Sequence, residues 1–144
     1  MMEGAREEMR QISVFIYGSL LPGQSNHHFV SSYVQSIRPG KIAGRLVDCG
    51  EYPAAVRDAI AKECNSIISG QWIVVDREGL ASMDALEQFY GHEEQNDYER
   101  VWVADAKDKL VSGWVYVWES DRGCPAIADE YWPRFFARKM RGIL

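Results

Sequence analysis

A glutamate falls on the apolar face of a helical pattern in GLASMDALEQFYG, residues 79–91. At about 100° per residue, Leu80 and Met83 define an apolar stripe, and Glu87 lies within roughly 10° of its midline. A glutamate is rarely buried without a partner, so Glu87 is expected either to pair with a cation or to line a cavity. The cationic candidates are Arg45, Arg100 and Lys41.

The chemistry available to Glu87 depends on its surroundings. In an apolar cavity, desolvation would raise the pKa of the carboxyl toward neutrality, and such a carboxyl can both accept and return a proton at pH 7. The alternative is a shorter helix whose buried face is set by Leu86 and Tyr90, in which case Glu87 reaches solvent at the helix end. The helical pattern leaves both alternatives open.

A second chemical feature is the strand end in VFIYGSLLPGQSNHHFV, residues 14–30. The apolar strand stops at Tyr17-Gly18-Ser19, which leaves several backbone N–H groups without a sheet partner, and Gly18 allows the chain to bend so that these donors converge. Converging N–H groups bind anions, and without a Walker lysine or a Gly-x-Gly-x-x-Gly pattern a carboxylate suits them better than a nucleotide phosphate. An ordinary turn whose donors are met by water is the alternative.

The remaining reactive side chains form weaker patterns. His27 and His28 are adjacent, so on a helix they point about 100° apart and do not share a metal, and His92 stands alone in a polar loop. Ser19 has no Gly-x-Ser-x-Gly elbow around it. Asp84 would suit one half of a glycosidase carboxylate pair, but nothing else in the chain indicates sugar binding. We therefore expect no metal site and no cofactor.

The elements that must position these residues are mostly strands. Five segments rich in β-branched and aromatic residues are predicted strands, at 12–17, 41–48, 69–76, 99–105 and 112–118. AKDKL, between the last two, predicts a hairpin loop. Helical patterns lie at about 25–36, 79–89 and 127–141. Together they predict an α+β fold in which a small mixed or antiparallel sheet, curled into a β-barrel, is flanked by helices.

Composition and charge indicate one globular domain. The opening residues are polar and predict a flexible N-terminal tail at 1–11, with a short surface helix as the alternative, and no linker or repeat divides residues 12–144. Hydrophobic residues make up 47% of the chain and charged residues 26%, which is typical of a folded protein rather than a disordered one. The net charge of −5 argues against a general nucleic-acid binder, because phosphate neutralisation needs an excess of Lys and Arg.

The cysteines and the hydropathy pattern bear on location. Cys49, Cys64 and Cys124 are odd in number and widely spaced, which fits a reducing cytoplasm better than a disulfide framework or a zinc site. No apolar run approaches the roughly 18 residues of a membrane span, and the N-terminal residues contain no apolar signal-peptide core. The sequence therefore predicts a cytoplasmic protein with no membrane partner, and it gives no indication of oligomeric state.

The chain carries four segments in a fixed order, covering roughly residues 12–118: VFIYGSLLPGQSNHHF, EYPAAV, MDALEQF and DYERVWV. In this order they resemble the γ-glutamylcyclotransferase-like family, also described as avirulence-induced-gene-2-like. The family motifs are a strand with a Tyr-Gly-[Ser/Thr]-Leu loop and Gly-Gln-x-Asn-His, then Gly-Tyr-Pro-Ala, Leu-Asp-x-x-Glu and Tyr-x-Arg. Met83 replaces the usual Leu, and Gln88 stands where a Gly commonly follows the glutamate, which leaves the local helix end open.

The resemblance implies a small β-barrel flanked by helices and an enzyme that releases 5-oxoproline from γ-glutamyl compounds. It implies that Glu87 is the catalytic acid/base and that Tyr98 lies near the cavity. It also implies that the α-carboxylate end of the substrate is held by the backbone of four consecutive residues, Tyr17, Gly18, Ser19 and Leu20.

An intramolecular cyclisation fits the residues at hand, because the α-amine of the substrate is the nucleophile and no Ser, Cys, metal or activated water is needed. A γ-glutamyl amine or γ-glutamyl peptide is the expected small-molecule substrate, with the leaving amine undetermined. The alternative is a non-catalytic module that binds a γ-glutamyl or other carboxylate metabolite, or serves in protein interaction. A hydrolase that uses water is disfavoured, because the sequence shows no second base.

Overall fold

The computed structural model describes residues 11–89 and 97–142. The strands of this part of the chain are β1 Ile12–Ile16, β2 Ser36–Ala43, β3 Arg45–Asp48, β4 Pro53–Val56, β5 Ile67–Val75, β6 Glu99–Ala104 and β7 Ser112–Val117. Its α-helices are α1 Ala59–Glu63, α2 Arg77–Leu86 and α3 Trp132–Met140. The predicted N-terminal tail lies outside the described residues except for Gln11, and Tyr90 and His92 lie outside them as well.

A five-stranded mixed sheet in the order β2-β5-β1-β7-β6 forms the centre of the molecule. β1 lies in the middle, antiparallel to β5 and parallel to β7. This place suits its apolar residues Val14, Phe15 and Ile16, which are buried on both faces of the sheet. β6 and β7 form the antiparallel hairpin predicted around AKDKL. The α+β class and the mixed sheet predicted from the sequence are confirmed.

The five strands do not close into a complete barrel. β3 and β4 form a separate antiparallel ribbon. The ribbon joins the end of β7 through a parallel bridge between Val56 and Trp118. The backbone N–H of Trp118 also donates to the Ala55 carbonyl at 2.9 Å. The barrel-like enclosure is therefore assembled from an open sheet and a ribbon that meets one of its strands.

Successive side chains of β1 belong to two different apolar cores. Val14 and Ile16 belong to a core that also contains Met83 of α2. Phe15 and Tyr17 belong to a second core, which contains Trp132 of α3. Because successive side chains of a strand point to opposite faces, the two helices pack against opposite sides of the same strand.

Several segments differ from the prediction. Residues 25–36 hold two single-turn 3₁₀ helices, His27–Phe29 and Ser31–Tyr33, instead of the predicted helix. Serine and β-branched residues there have low helix propensity, and the chain is already extended at Val34. The predicted strand 41–48 is two strands, because Gly44 takes a φ of 154° between β2 and β3. The sequence patterns missed β4 and α1, which are only four and five residues long.

The last helix begins at Trp132 rather than near residue 127. The segment before it pairs with β3 and is therefore extended, with Ala126 in an antiparallel bridge to Val47. Pro133 in the first turn fits the helix start, where its missing N–H costs no hydrogen bond.

Helix α3 also anchors the turn that follows β3. The Lys139 Nζ donates to both carboxylate oxygens of Asp48 and to the Gly50 carbonyl, each at 2.9 Å. The helix therefore links the second core to a turn that leads directly into β4.

Candidate active site

A cavity of about 230 Å³ opens where the end of β1, the end of α2 and the start of β4 meet. Its lining includes all six residues singled out from the sequence: Tyr17, Gly18, Ser19, Leu20, Glu87 and Tyr98. It also includes residues that the sequence did not single out, among them Asn26, Tyr52, Pro53, Gln88, Asp97 and Tyr116. The structure thus brings the carboxyl and the loop after β1 into one pocket.

Helix α2 holds Glu87 at its carboxyl end. Asp76 caps the amino end of the helix by accepting a hydrogen bond from the Gly79 N–H at 2.8 Å, and Met83 is fully buried against the sheet. The Glu87 N–H donates to the Met83 carbonyl at 2.9 Å. Glu87 therefore stands one helical turn beyond a core residue, on the side of the helix that faces the sheet.

The helix ends in a Schellman turn at Gln88. The Phe89 N–H donates to the Asp84 carbonyl at 2.8 Å, and the Gln88 N–H donates to the Ala85 carbonyl at 3.3 Å. Gln88 takes the positive φ that this turn requires, 55°. The helix therefore ends directly after Glu87 even though the residue in the left-handed position is not glycine.

Gln88→Gly is expected to raise the free energy of unfolding by about 1 kcal/mol, because glycine adopts a positive φ without the steric penalty of a Cβ atom. Urea unfolding at pH 7 measures this change. Gln24→Gly serves as the matched control, since Gln24 has a negative φ and gains nothing from glycine. Equal destabilisation by both substitutions would contradict the prediction.

The Glu87 carboxyl has no cationic partner in the described part of the chain. The three cations named from the sequence are engaged elsewhere: Arg45 with Asp58 and Asp121, Arg100 with Asp84, and Lys41 with Glu130. Of the two sequence-based alternatives for a buried glutamate, lining a cavity is the one that the geometry shows.

The surroundings of Glu87 favour its neutral form. Desolvation by the surrounding protein and, to a smaller extent, the negative charge of Asp97 raise the pKa of Glu87 from its ordinary 4.5 to about 7. The carbonyl end of α2 carries negative potential and acts in the same direction. At neutral pH this carboxyl can therefore both accept and release a proton.

Asp84 ties α2 to the sheet. The Tyr116 hydroxyl donates to Asp84 Oδ1 at 2.6 Å, and Arg100 Nη1 donates to Oδ2 at 2.5 Å. The Arg100 guanidinium in turn lies 4.9 Å from the ring centroid of Phe89 and 4.8 Å from that of Trp114. With both carboxylate oxygens bonded to β6 and β7, Asp84 fixes the helix that carries the cavity glutamate.

Asn26 and His27 bond to backbone carbonyl groups of the loop after β1. The Asn26 N–H donates to the Ser19 carbonyl at 2.8 Å, and its side-chain amide donates to Ser19 Oγ at 2.9 Å. The His27 Nδ1 lies 2.7 Å from the Leu20 carbonyl, and because a carbonyl only accepts, the ring nitrogen must donate. His27 thereby positions the loop, and the Ser19 hydroxyl is tied to Asn26.

The N–H side of the same loop is available to a ligand. Gly18 and Leu21 close a turn, in which the Leu21 N–H donates to the Gly18 carbonyl at 3.1 Å. The N–H groups of Gly18, Ser19 and Leu20 donate to no acceptor among residues 11–89 and 97–142. Because all three residues line the cavity, their N–H groups are candidates for a carboxylate cradle.

Glycine is required at position 18 by space. A Cβ atom there would lie 2.7 Å from Cγ and 2.8 Å from Cδ of Pro53, closer than carbon atoms approach, whereas the backbone of Gly18 does not have a positive φ. The chain bends at Gly18, as the sequence predicted, but glycine is required there by the close packing of the loop on β4 and not by a positive φ.

Gly18→Ala is expected to lower the free energy of unfolding by about 1–3 kcal/mol, because the new methyl group overlaps the ring of Pro53. Urea unfolding at pH 7 measures the loss. Pro53→Ala removes the atoms that the methyl group meets, so Gly18→Ala should cost less in that background. A Gly18→Ala variant as stable as the wild type would contradict the close packing.

Two buried phenols form fixed walls of the cavity. The Tyr17 hydroxyl donates to the Tyr116 carbonyl at 2.6 Å, and the Tyr98 hydroxyl donates to the Pro53 carbonyl at 3.1 Å. Burial raises the pKa of both phenols, and the charge of Glu87 adds to the effect. Both hydroxyls are therefore neutral at pH 7 and already occupied as donors.

His28 lies outside the lining of this cavity. His28 is exposed and packs on the ring of Phe29.

Among the residues that the structure describes, no three His, Cys, Asp or Glu side chains are grouped to hold a metal ion. In the same residues, none of the helices has the length and apolar character to cross a membrane.

Comparison with known proteins identifies the family. The sequence model of the family described as gamma-glutamyl cyclotransferase, AIG2-like, matches residues 14–134. This range includes every cavity residue named above. The chain belongs to this family. The resemblance noted from the sequence motifs is thereby confirmed.

Relatives of this gamma-glutamyl cyclotransferase-like chain include an enzyme with a stated substrate. The gamma-L-glutamyl-butirosin B gamma-glutamyl cyclotransferase of Niallia circulans is 30% identical over 112 residues, which cover 76% of this chain and 68% of the relative. A crystal structure of an AIG2-like protein from Mus musculus has a TM-score of 0.64 at 20% identity, covering 85% of this chain and 88% of that one. An uncharacterised protein of Pyrococcus horikoshii has a TM-score of 0.65 at 16% identity, with coverage of 90% and 97%. The two solved structures show that the fold is shared.

Sequence reasoning missed several residues at the site of this family member. Asn26 and Tyr52 stand within the quoted segments, so the Asn-His and Tyr-Pro pairs were signals that could have found them. Asp97 precedes Tyr98 in a polar stretch and gave no such signal. Tyr116 lies in the last strand, where its apolar neighbours predict only a strand.

Proposed function

We propose that this chain is a γ-glutamyl cyclotransferase that releases 5-oxoproline from a γ-glutamyl amine or peptide. The observation that carries the proposal is Glu87, a carboxyl with a pKa of about 7 that has no cationic partner among the described residues. It lines the same cavity as a loop whose N–H groups have no acceptor in that part of the chain. Membership of the family supports it, as does the relative named for γ-L-glutamyl-butirosin B.

Substrate binding starts at the α-carboxylate. The N–H groups of Gly18, Ser19 and Leu20 receive its oxygens, and hydrogen bonds to a charged acceptor are stronger than those to a neutral one. The cavity, at about 230 Å³, is smaller than pockets for drug-sized ligands and suits a group the size of γ-glutamyl. The leaving amine then lies toward the opening, where Tyr52 and Gln88 are exposed.

The reaction is an intramolecular acyl transfer. The neutral α-amine nitrogen attacks the γ-carbonyl carbon and forms the ring C–N bond, and Glu87 as carboxylate accepts the proton that this nitrogen loses. The bond from the γ-carbon to the leaving nitrogen then breaks, and Glu87 returns the proton to that nitrogen. The products are 5-oxoproline and a free amine, no water is consumed, and Glu87 ends as it began.

Orientation supplies a large share of the rate. A flexible γ-glutamyl chain must fold back on itself, and a well-oriented intramolecular reaction gains on the order of 7–11 kcal/mol over random encounter. The N–H cradle fixes one end of this chain. Tyr98, whose hydroxyl is bonded to the Pro53 carbonyl, acts as a rigid wall beside the reacting atoms rather than as a proton donor.

The test is incubation of the purified chain with γ-glutamyl amines, γ-glutamyl dipeptides and γ-glutamyl-ε-lysine, with 5-oxoproline measured by mass spectrometry. At least one substrate with a free α-amine should yield 5-oxoproline, and its N-acetylated counterpart should yield none, because acetylation removes the nucleophile. Reaction in ¹⁸O-labelled water should leave the product unlabelled.

Two other results would overturn the proposal. Release of glutamate carrying ¹⁸O would identify a hydrolase that uses water. Binding of the panel in calorimetry without any turnover would identify the non-catalytic module that recognises γ-glutamyl compounds.

A further inference from the structure

Outside the reaction chemistry, the end of β3 meets the segment before α3 in a short antiparallel pairing. Val47 forms a bridge with Ala126. Two backbone hydrogen bonds flank this bridge, from Asp48 N–H to the Pro125 carbonyl at 2.8 Å and from Ile127 N–H to the Leu46 carbonyl at 3.0 Å. In this pattern Val47 and Ala126 are a non-hydrogen-bonded pair.

The same register places Cys49 opposite Cys124. Each cysteine is two residues beyond the isolated bridge, so continuing the register makes them the next pair of the non-hydrogen-bonded kind, for which Cα atoms lie about 4.5 Å apart. Disulfides span Cα separations of about 4.4–6.8 Å. Independently of the register, Cys124 lies near enough to Cys49 to raise the pKa of its thiol. Both cysteines are half-buried and present as free thiols.

Each cysteine is connected to the cavity rim. The Cys49 N–H donates to the Tyr52 carbonyl at 3.0 Å, which closes the turn that leads to the cavity-lining Tyr52. Cys124 follows Arg122, whose guanidinium donates to the Asp97 carbonyl at 2.7 Å and to its carboxylate at 3.2 Å. Tyr52 and Asp97 both line the cavity, so a bond between the sulfurs would tie together two segments that hold its rim.

We propose that Cys49 and Cys124 form a reversible intrachain disulfide by exchange with a low-molecular-weight disulfide such as oxidised glutathione. One thiolate attacks the small disulfide, giving a mixed disulfide and one small thiol. The second cysteine thiolate attacks the protein sulfur of the mixed disulfide and releases the second small thiol. The two cysteines lose two electrons, the oxidant gains them, and the two cysteine protons end on the two released thiols.

The surroundings of the Cys49 thiol bear on which cysteine reacts first. Burial, the neighbouring Cys124 and the charge of Asp48 raise the pKa of the Cys49 thiol, while Arg122 acts in the opposite sense. A raised pKa makes Cys49 a poor first nucleophile, so the proposed order begins with exchange at Cys124. In a reducing compartment such a bond is transient and reports oxidising conditions.

The experiment treats the full chain, without substrate, with oxidised glutathione at pH 8, followed by intact mass and peptide mapping under non-reducing conditions. The expected result is a peptide joining Cys49 to Cys124, a mass loss of about 2 Da apart from any glutathione carried by the exposed Cys64, and return of the starting mass with dithiothreitol. Cys64→Ser is the matched control, since Cys64 is exposed on the surface, and this variant should form the same link. Cys49→Ser and Cys124→Ser should each abolish the link.

Persistent glutathione adducts on Cys124 without an intrachain link would overturn the proposal, as would a link that joins Cys64 of two chains while Cys49 and Cys124 remain free. Because the mapping is done on the wild-type chain and involves no turnover, its outcome is independent of the proposed enzymatic activity.

Discussion

Replacing Glu87 by Gln is expected to lower kcat for 5-oxoproline release by about 10²- to 10⁴-fold. The amide preserves the size of the side chain but cannot accept the proton of the α-amine or deliver it to the leaving nitrogen. Substrate affinity should change by no more than about threefold, because recognition is assigned to the N–H groups of Gly18, Ser19 and Leu20 rather than to the carboxyl.

Steady-state kinetics with the best γ-glutamyl substrate measure the loss of kcat, and calorimetry with the inactive variant measures affinity. The matched control is Glu78→Gln, which makes the same chemical change at an exposed glutamate in the first turn of the same helix. It should retain wild-type kcat. A Glu87→Gln variant that cyclises substrate at the wild-type rate would remove Glu87 from the mechanism.

The same substitution is expected to stabilise the protein above pH 7, by up to about 3 kcal/mol in the free energy of unfolding. In the wild-type protein the carboxylate of Glu87 is charged at that pH, desolvated, and without a cationic partner among the described residues. A neutral amide does not carry that cost. A residue that weakens the fold while serving the reaction is a common form of trade-off between stability and activity.

The pH dependence of the stability difference follows from the raised pKa of Glu87. Below pH 4.5 Glu87 is protonated in the folded and unfolded states, so the variant and the wild type should be similar in stability. Between pH 4.5 and about 7 the unfolded chain has lost this proton and the folded chain retains it, so rising pH favours unfolding. Carboxyls with a lowered pKa, such as Asp58, act in the opposite sense but are common to both proteins.

Urea unfolding of the wild type and Glu87→Gln at pH 4.5 and pH 8 measures this difference. The stability gain of the variant should be near zero at the lower pH and reach its full value at the higher one. A wild type that is the more stable protein at pH 8 would mean that the Glu87 carboxylate is compensated by a partner.

The sequence alone indicated Glu87 and the loop after β1, because each departs from the pattern that its neighbours in the chain set. Glu87 occupies a position where the helical period calls for an apolar residue, and the strand before Gly18 ends without a partner for its N–H groups. Both signals depend only on near neighbours in the chain. The central strand is likewise evident from its unbroken apolar run.

Features set by distant pairings were not predictable in the same way. Arg100 is 16 residues from Asp84, and only the packing of β6 beside α2 brings them together. Cys49 and Cys124 face each other because of the register between β3 and the segment before α3, which no local pattern encodes. The failed helix at 25–36 shows the converse, since an apolar periodicity there is satisfied by two short 3₁₀ turns that carry Asn26 and His27 to the loop.

The most direct test of a proton-carrying carboxyl in this cavity is an NMR titration of the Glu87 side chain in protein labelled with glutamate ¹³C at the carboxyl carbon. The resonance is assigned by its disappearance in Glu87→Gln. We expect it to titrate with a pKa of about 7, well above the ordinary glutamate value of 4.5. A pKa near the ordinary value would place the carboxyl in solvent and contradict its role as the acid/base.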